Sequence, residues 1–191
     1  MKRDEQILKA AEGLFYERGF HGVGVAEIGK RAGVTGSAIY RHFGSKDEIL
    51  GMLFDQVADL LLMTVGQPLD DPQQDLEVLV RAHVRFAAEN YRLAAIWALD
   101  VRALSGTYLR SFQRRQHLYT DRWVSCLDRC YPGHTREDLI TAIRGVWALL
   151  MSDSWRPRTG AVSPDVEAIL AGIALAGLAT LRVANSAHVP G

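Results

Sequence analysis

Apolar residues recur every three or four positions along almost the whole chain, and no stretch alternates as a strand does. That period predicts helices, each with one buried stripe. Ile7, Ala11, Leu14 and Phe15 share a face of a first helix, and Gly19 offers its stop. A short helix follows from about Val25 to Arg31, with Gly24 at its N-cap, Glu27 in its first turn and Gly33 breaking it. Thr35 caps a further short helix through Phe43, which Gly44 ends. Ser45 and Glu48 have the spacing of a capping box, with Glu48 reaching back, and they open a long helix to about Val65.

The remaining elements are punctuated in the same way. Asp71-Pro72 starts a helix with proline at its favoured first position, and Leu76, Leu79, Val80, His83, Phe86 and Ala87 form its apolar face. Asn90-Tyr91 and Ser105-Gly106 are breaks. Beyond them Tyr108, Phe112, Tyr119, Trp123, Cys126 and Cys130 lie along one stripe that ends at Pro132-Gly133. Thr135 with Asp138 caps a helix to near Trp155, a loop follows over Arg156-Pro157-Arg158-Thr159-Gly160, and Ser163-Pro164 begins a last helix to about Asn185. The sum is about nine helices and an all-α fold.

Composition narrows the function classes. Lys plus Arg and Asp plus Glu both total 22, so any affinity for nucleic acid must come from where the positive charge sits. The opening Met1 to Gln6 is polar and carries no secretory signal. The uncharged stretch from Ala168 to Leu181 is shorter than the roughly 20 residues a membrane span needs. Cys126 and Cys130 stand one helical turn apart, where a disulfide would be strained. A cytoplasmic protein is expected, with no membrane association. Nucleophile-elbow, zinc-protease and phosphate-loop motifs are missing from the sequence, so an enzyme is not expected; Asp100, His117 and Asp121 alone make no catalytic signature.

The stretch from Val25 to Lys46 carries the chemistry. Two short helices joined by Gly33-Val34-Thr35 have the length and turn of a helix-turn-helix. Such a pair needs a small residue where the helices touch, which is Gly29, and apolar pins, which are Ile28, Val34, Ile39 and Phe43. Gly36, Ser37, Ala38, Tyr40, Arg41 and His42 are left facing outward. They are short at the N-terminal end that would enter a major groove, and longer beyond it. Lys46, at the start of the next helix, adds a charge suited to phosphate. Lys2, Arg3, Lys30, Arg31, Arg41 and Lys46 can share a face, but nearby acids almost match them, so binding must depend on geometry and salt.

The run from Ile28 to Glu48, with Ile7 to Ala11, Leu14-Phe15 and Gly19-Phe20 before it, resembles the DNA-binding segment of tetracycline-repressor-like (TetR family) regulators. The resemblance covers about the first quarter of the chain. It implies that Tyr40 and His42 contact phosphates, that Lys46 anchors the DNA backbone and that Thr35 caps the recognition helix. Ser37, Ala38 and Arg41 would face base edges, with Arg41 suited to guanine. Two positions depart from the family's habit: Ala38, where a small hydroxyl is common, and Gly29, where alanine is common. The resemblance further implies a helix-turn-helix domain over 1–46 and a regulatory, ligand-binding and dimerising domain over 47–191.

The function so implied is a ligand-responsive transcriptional regulator, in the family's common mode a repressor, that binds palindromic double-stranded operator DNA as a homodimer through its last two helices. The final helix fits this independently, because Ala168, Ala171, Gly172, Ala174, Ala176, Gly177 and Ala179 let helices approach closely. His83, Phe86, Trp97, Tyr108, Phe112, Tyr119, Trp123 and Trp147 are candidate lining for a pocket that takes a small apolar or amphipathic effector, though each also suits a core. Arg110, Arg114 and Arg115 suit either an anionic ligand or a solvated face. No cofactor and no bound metal are expected. The alternatives are a metal sensor built on Cys126 and Cys130 with His117 or His134, and behind it a helical enzyme.

Overall fold

The computed structural model describes residues 2–155 and 163–184, and among them every regular element is helical. The helices are α1 (Arg3–Arg18), α2 (Val25–Ala32), α3 (Gly36–Ile39), α4 (Lys46–Val65), α5 (Pro72–Glu89), α6 (Tyr91–Asp100), α7 (Gly106–Cys130), α8 (Arg136–Leu150), α9 (Val166–Ala179) and α10 (Leu181–Ala184). Short 3₁₀ turns follow α6 (Val101–Ala103) and α8 (Ser152–Trp155). The all-α expectation holds. The loop expected at Arg156 to Gly160 and the helix end at Asn185 lie outside the described residues.

Packing divides the chain into two compact units. The first holds 1–59 and 90–116; the second holds 60–89 and 117–191. In the first unit α1 packs on α2 and α6, and α2 on α3. Its core includes Ile7, Leu14, Phe15, Phe20, Ile28, Ile39, Phe43, Leu50, Phe54 and Ile96, each at most 4% exposed. In the second unit α5, α8 and α9 pack on one another around Leu76, Leu79, Leu139, Ile143, Ala171 and Ala174. The α4 and α7 helices each begin in the first unit and end in the second.

Three boundaries differ from the sequence pattern. The helix capped by Thr35 is shorter than expected: α3 ends at Ile39, and the N–H groups of Arg41 and His42 bond only three residues back, to Ala38 and Ile39. Those tight turns wind the chain so that Phe43 reaches the core beside Ile39. The Glu48 carboxylate reaches back to the N–H of Gly44 at 2.7 Å rather than to Ser45, while the Glu48 N–H bonds the Ser45 hydroxyl at 3.0 Å. The last helix breaks at Thr180, whose hydroxyl donates to the Gly177 carbonyl at 2.6 Å and competes with the helical ladder. No described helix is long and apolar enough to cross a membrane.

Candidate nucleic-acid interface and buried aromatic site

The turn between α2 and α3 is made by two glycines. Gly33 takes the left-handed conformation (φ 70°, ψ 31°), which ends α2 and lets the Val34 N–H close on the Gly29 carbonyl at 2.9 Å. Gly29 itself backs onto that turn: a Cβ there would lie 3.0 Å from the Val34 carbonyl oxygen and 3.1 Å from the Gly36 nitrogen. Glycine here lets α2 pack on the turn without a side chain that its neighbours would have to yield to. Thr35 caps α3 as expected, its hydroxyl oxygen accepting from the Ala38 N–H at 3.1 Å, and it pairs with the Ser37 hydroxyl at 3.0 Å.

This frame leaves a polar surface over buried pins. Ile28 and Ile39 are no more than 1% exposed, while Tyr40 is 59% exposed. Thr35, Ser37, Arg41 and His42 are exposed as well, with Gly36 and Ala38 half-buried between them. Two of the candidate contacts already have protein partners. The His42 Nδ1 lies 2.5 Å from an Asp4 carboxylate oxygen. The Lys46 ammonium donates to the Phe20 and Val23 carbonyls, both at 2.9 Å, and stands 4.1 Å from the centre of the Phe20 ring. An ammonium has three donors, so these two bonds leave one uncommitted.

The same loop is held from its other side. The Phe20 N–H donates to the Asp100 carboxylate at 3.1 Å. Burial pushes the Asp100 carboxyl above its ordinary range against the opposing pull of the Phe20 N–H, His21 and Lys46. The segment entering α2 is thus tied at Phe20 to the end of α6 and at Phe20 and Val23 to the start of α4. Sequence reasoning missed Asp100 in this role, because a bond spanning 80 residues leaves no local signal. Two further ion pairs lie near the interface: Arg31 forks onto Glu17 at 2.7 and 2.8 Å, and Arg18 meets Glu27 at 2.6 Å.

The eight aromatic and histidine candidates fall into two groups, one in each unit. In the first, Phe112 packs against Trp97 and Phe54 with ring centres 6.0 and 5.4 Å apart. Tyr108 lies against Gly51, so closely that a Cβ there would be 2.9 Å from its ring. Arg115, from the basic cluster on α7, is paired with Asp55 and Asp59.

In the second unit His83, Tyr119, Trp123 and Trp147 form one cluster, with every pair of ring centres between 5.4 and 6.4 Å. Phe86 is buried on the same helix as His83. His83 and Trp147 stack 9° from parallel, and the His83 Nδ1 bonds the Tyr119 hydroxyl at 3.1 Å. His83 is fully buried, and burial pushes its pKa down to about 3, so the imidazole is neutral. Burial also raises the Tyr119 phenol. The His83 Nε2 and the indole nitrogens of Trp123 and Trp147 are buried without a hydrogen-bond partner.

Both thiols lie on the Pro72 carbonyl, Cys130 at 3.1 Å and Cys126 at 3.6 Å, and burial pushes both above the ordinary thiol range. His134 bonds the Leu181 carbonyl at 2.9 Å. Among the described residues no group of three His, Cys, Asp or Glu is placed to hold a metal. Nearby, the buried Asp75 carboxylate is forked by Arg122 and takes the Leu69 N–H. Burial would raise that carboxyl, but those bonds and the Arg122 charge outweigh it and hold it below its usual value.

The final helices are two-faced. Ala171, Ala174 and Leu178 of α9 are buried against the unit, whereas Ile169 and Ile173 are 50% and 51% exposed. Gly172, Ala176 and Gly177 are exposed beside them, and on α8 so are Thr141, Gly145 and Ala148. A Cβ at Gly145, Gly172 or Gly177 would meet nothing within 4 Å.

Residues 7–53 match the family described as bacterial regulatory proteins, tetR family. The chain is 37% identical over 102 residues to the HTH-type transcriptional activator FasR of Mycolicibacterium smegmatis, covering 49% of this chain and 47% of that protein. It thus spans about half the length of this curated relative. A bacterial regulatory protein of the tetR family from Rhodococcus RHA1 superposes with a TM-score of 0.81 at 19% identity, covering 95% of this chain and 97% of that one. AibR, solved in complex with isovaleryl coenzyme A and operator DNA, superposes with a TM-score of 0.77 at 18% identity, covering 91% and 96%. These two structures share the fold.

Proposed function

The chain belongs to the tetR family of bacterial regulatory proteins, and on that premise we propose that it is a ligand-responsive transcriptional repressor acting in the cytoplasm. It binds palindromic operator DNA as a homodimer and is released by a small apolar or amphipathic molecule. The DNA-reading domain is 1–46, and 47–191 senses the ligand and dimerises. The observation that carries the reading is the polar surface of Thr35 to His42 laid over the buried pins Ile28, Ile39 and Phe43. Ser37, Ala38 and Arg41 face base edges, Gly36 lets the backbone come close, and Tyr40 and His42 take phosphates. His42 exchanges Asp4 for a phosphate on binding. Lys46 fixes the loop before α2 and offers its remaining donor to the DNA backbone.

Dimerisation uses the exposed faces of α8 and α9, where the glycines admit a second copy closely. A two-fold dimer reads two half-sites about one helical turn or a multiple apart. The sensing residues are His83, Phe86, Tyr119, Trp123 and Trp147 in one group and Trp97, Tyr108 and Phe112 in the other. A ligand releases operator only by differential affinity for two conformations. Within the first unit, α4 and α6 grip the loop that starts α2 through Lys46 and Asp100, so a shift of either helix moves the reading surface. FasR is named an activator; for this chain the proposed direction is repression, and a promoter-reporter assay in cells lacking the chain decides the sign.

The test is binding of the purified chain to DNA flanking its own gene against a shuffled duplex at fixed salt. Selective binding that Tyr40→Ala abolishes is the expected result. Selective binding that persists in Tyr40→Ala and Arg41→Ala alike overturns the assignment of the reading surface.

A further inference from the structure

We propose that the cluster of His83, Tyr119, Trp123 and Trp147 recognises an uncharged oxygen, so that the effector is an apolar molecule carrying a carbonyl or hydroxyl group held by Trp147 Nε1 and His83 Nε2. This rests on the reading of the chain as a ligand-responsive regulator and names the chemistry of its ligand.

Elsewhere in the second unit most buried polar groups are matched to one another, and among its described residues outside the cluster only the Arg122 Nε is left without a partner. Asp75 is met by Arg122, Arg129 bonds the Leu69 and Asp70 carbonyls, and the two thiols rest on Pro72. The aromatic cluster is different. Trp147 Nε1 and His83 Nε2 are both buried without a partner, on two rings that stack 5.5 Å apart. Native interiors leave few such atoms unmatched, and two on one stacked pair call for a specific reason. The Trp123 Nε1 is likewise buried without a hydrogen-bond partner.

The inventory of donors and acceptors selects the partner. An indole nitrogen only donates, so whatever meets Trp147 must accept. A neutral imidazole has one donor and one acceptor, and Nδ1 is committed to Tyr119. If the phenol donates, Nε2 carries the proton and a carbonyl oxygen accepts from both rings. If Nδ1 donates, Nε2 accepts, and a hydroxyl serves by donating to it while accepting from the indole. A charged group is disfavoured in either case. His83 stays neutral, and the Arg122 guanidinium is bound to Asp75, so a buried carboxylate or ammonium would find no counter-charge.

The experiment measures binding of 2-octanone, 2-octanol, octane, octanoate and octylamine to the full chain by intrinsic tryptophan fluorescence, with operator binding followed in parallel. Octane is the most apolar of the set and would bind tightest in a purely greasy site. The expected result is that the ketone or the alcohol binds at least about tenfold tighter than octane and tighter than either ion. Trp147→Phe, which keeps a ring and removes the donor, should reduce that preference to about twofold or less, as should His83→Leu, each in protein whose melting shows it folded. Equal binding of octane and ketone, tightest binding of octanoate or octylamine, or a preference unchanged in both variants overturns the ligand class while leaving a ligand site. If no probe binds yet operator binding persists, the sensing role of the cluster falls with it.

Discussion

The segment from Thr35 to His42 and the cluster around His83 both hold polar side chains without full protein partners, but in opposite surroundings. Tyr40 and Arg41 stand in water, where an unmade bond costs almost nothing until DNA arrives. His83 Nε2 and Trp147 Nε1 lie inside, where an unmade bond weighs on the folded state. The difference teaches where to look for each kind of effect. Substitutions on the outer surface should change binding and spare stability; substitutions inside should change stability first.

The largest test concerns the buried charges. Asp75→Ala strips Arg122 of its partner and should cost about 3–5 kcal/mol in denaturant unfolding. A loss below about 1 kcal/mol, the range of exposed pairs, would mean that the pair is solvated and that the inside-outside contrast fails there. Next comes pH. The folded His83 pKa, about 3, lies below the unfolded value of about 6.5, so the unfolded chain takes up protons first. The neutral form's contribution is complete above pH 6.5 and is lost as pH falls toward 3, at about 1.4 kcal/mol per pH unit. By pH 5 the wild type should have lost about 2 kcal/mol more than His83→Leu, measured as the difference between their stability curves. Parallel curves would place the imidazole in contact with water.

On the outer surface, Arg41→Ala should weaken operator binding by about 1–3 kcal/mol and relax preference at one base pair, with unfolding changed by less than about 0.5 kcal/mol. A uniform loss across all sequences would reassign Arg41 to phosphate. The smallest effect belongs to Thr35→Ala, which removes the cap on the Ala38 N–H and should destabilise by about 1 kcal/mol. It crosses the divide, since a misplaced α3 also weakens DNA binding; a stability loss with DNA binding untouched would uncouple the cap from the reading surface.

These contrasts follow how much each region revealed in its residues. The helix-turn-helix was legible because its determinants are local: Gly33 must turn, Thr35 caps three residues ahead, and Ile28, Ile39 and Phe43 recur at helical spacing. The end of α3 was not, since the tight turns at Arg41 and His42 answer to the burial of Phe43. The partners of Lys46 and His42 lie 23 to 38 residues away and carry no periodic signal. The aromatic stripe was visible, but its division between two units was not. Helical period fixes which residues share a face of α7, and not what each part of that face packs against: Phe112 meets Trp97, while Tyr119 and Trp123 meet His83 and Trp147.

The most direct test of the central claim is a selection of random duplexes by the purified chain at one physiological salt concentration, run in parallel with Tyr40→Ala and Arg41→Ala. The account predicts an enriched inverted repeat whose half-sites lie about one helical turn, or a multiple of it, apart, absent with Tyr40→Ala and altered at a single position per half-site with Arg41→Ala. No enriched repeat with the wild type, or the same repeat from all three proteins, would contradict it.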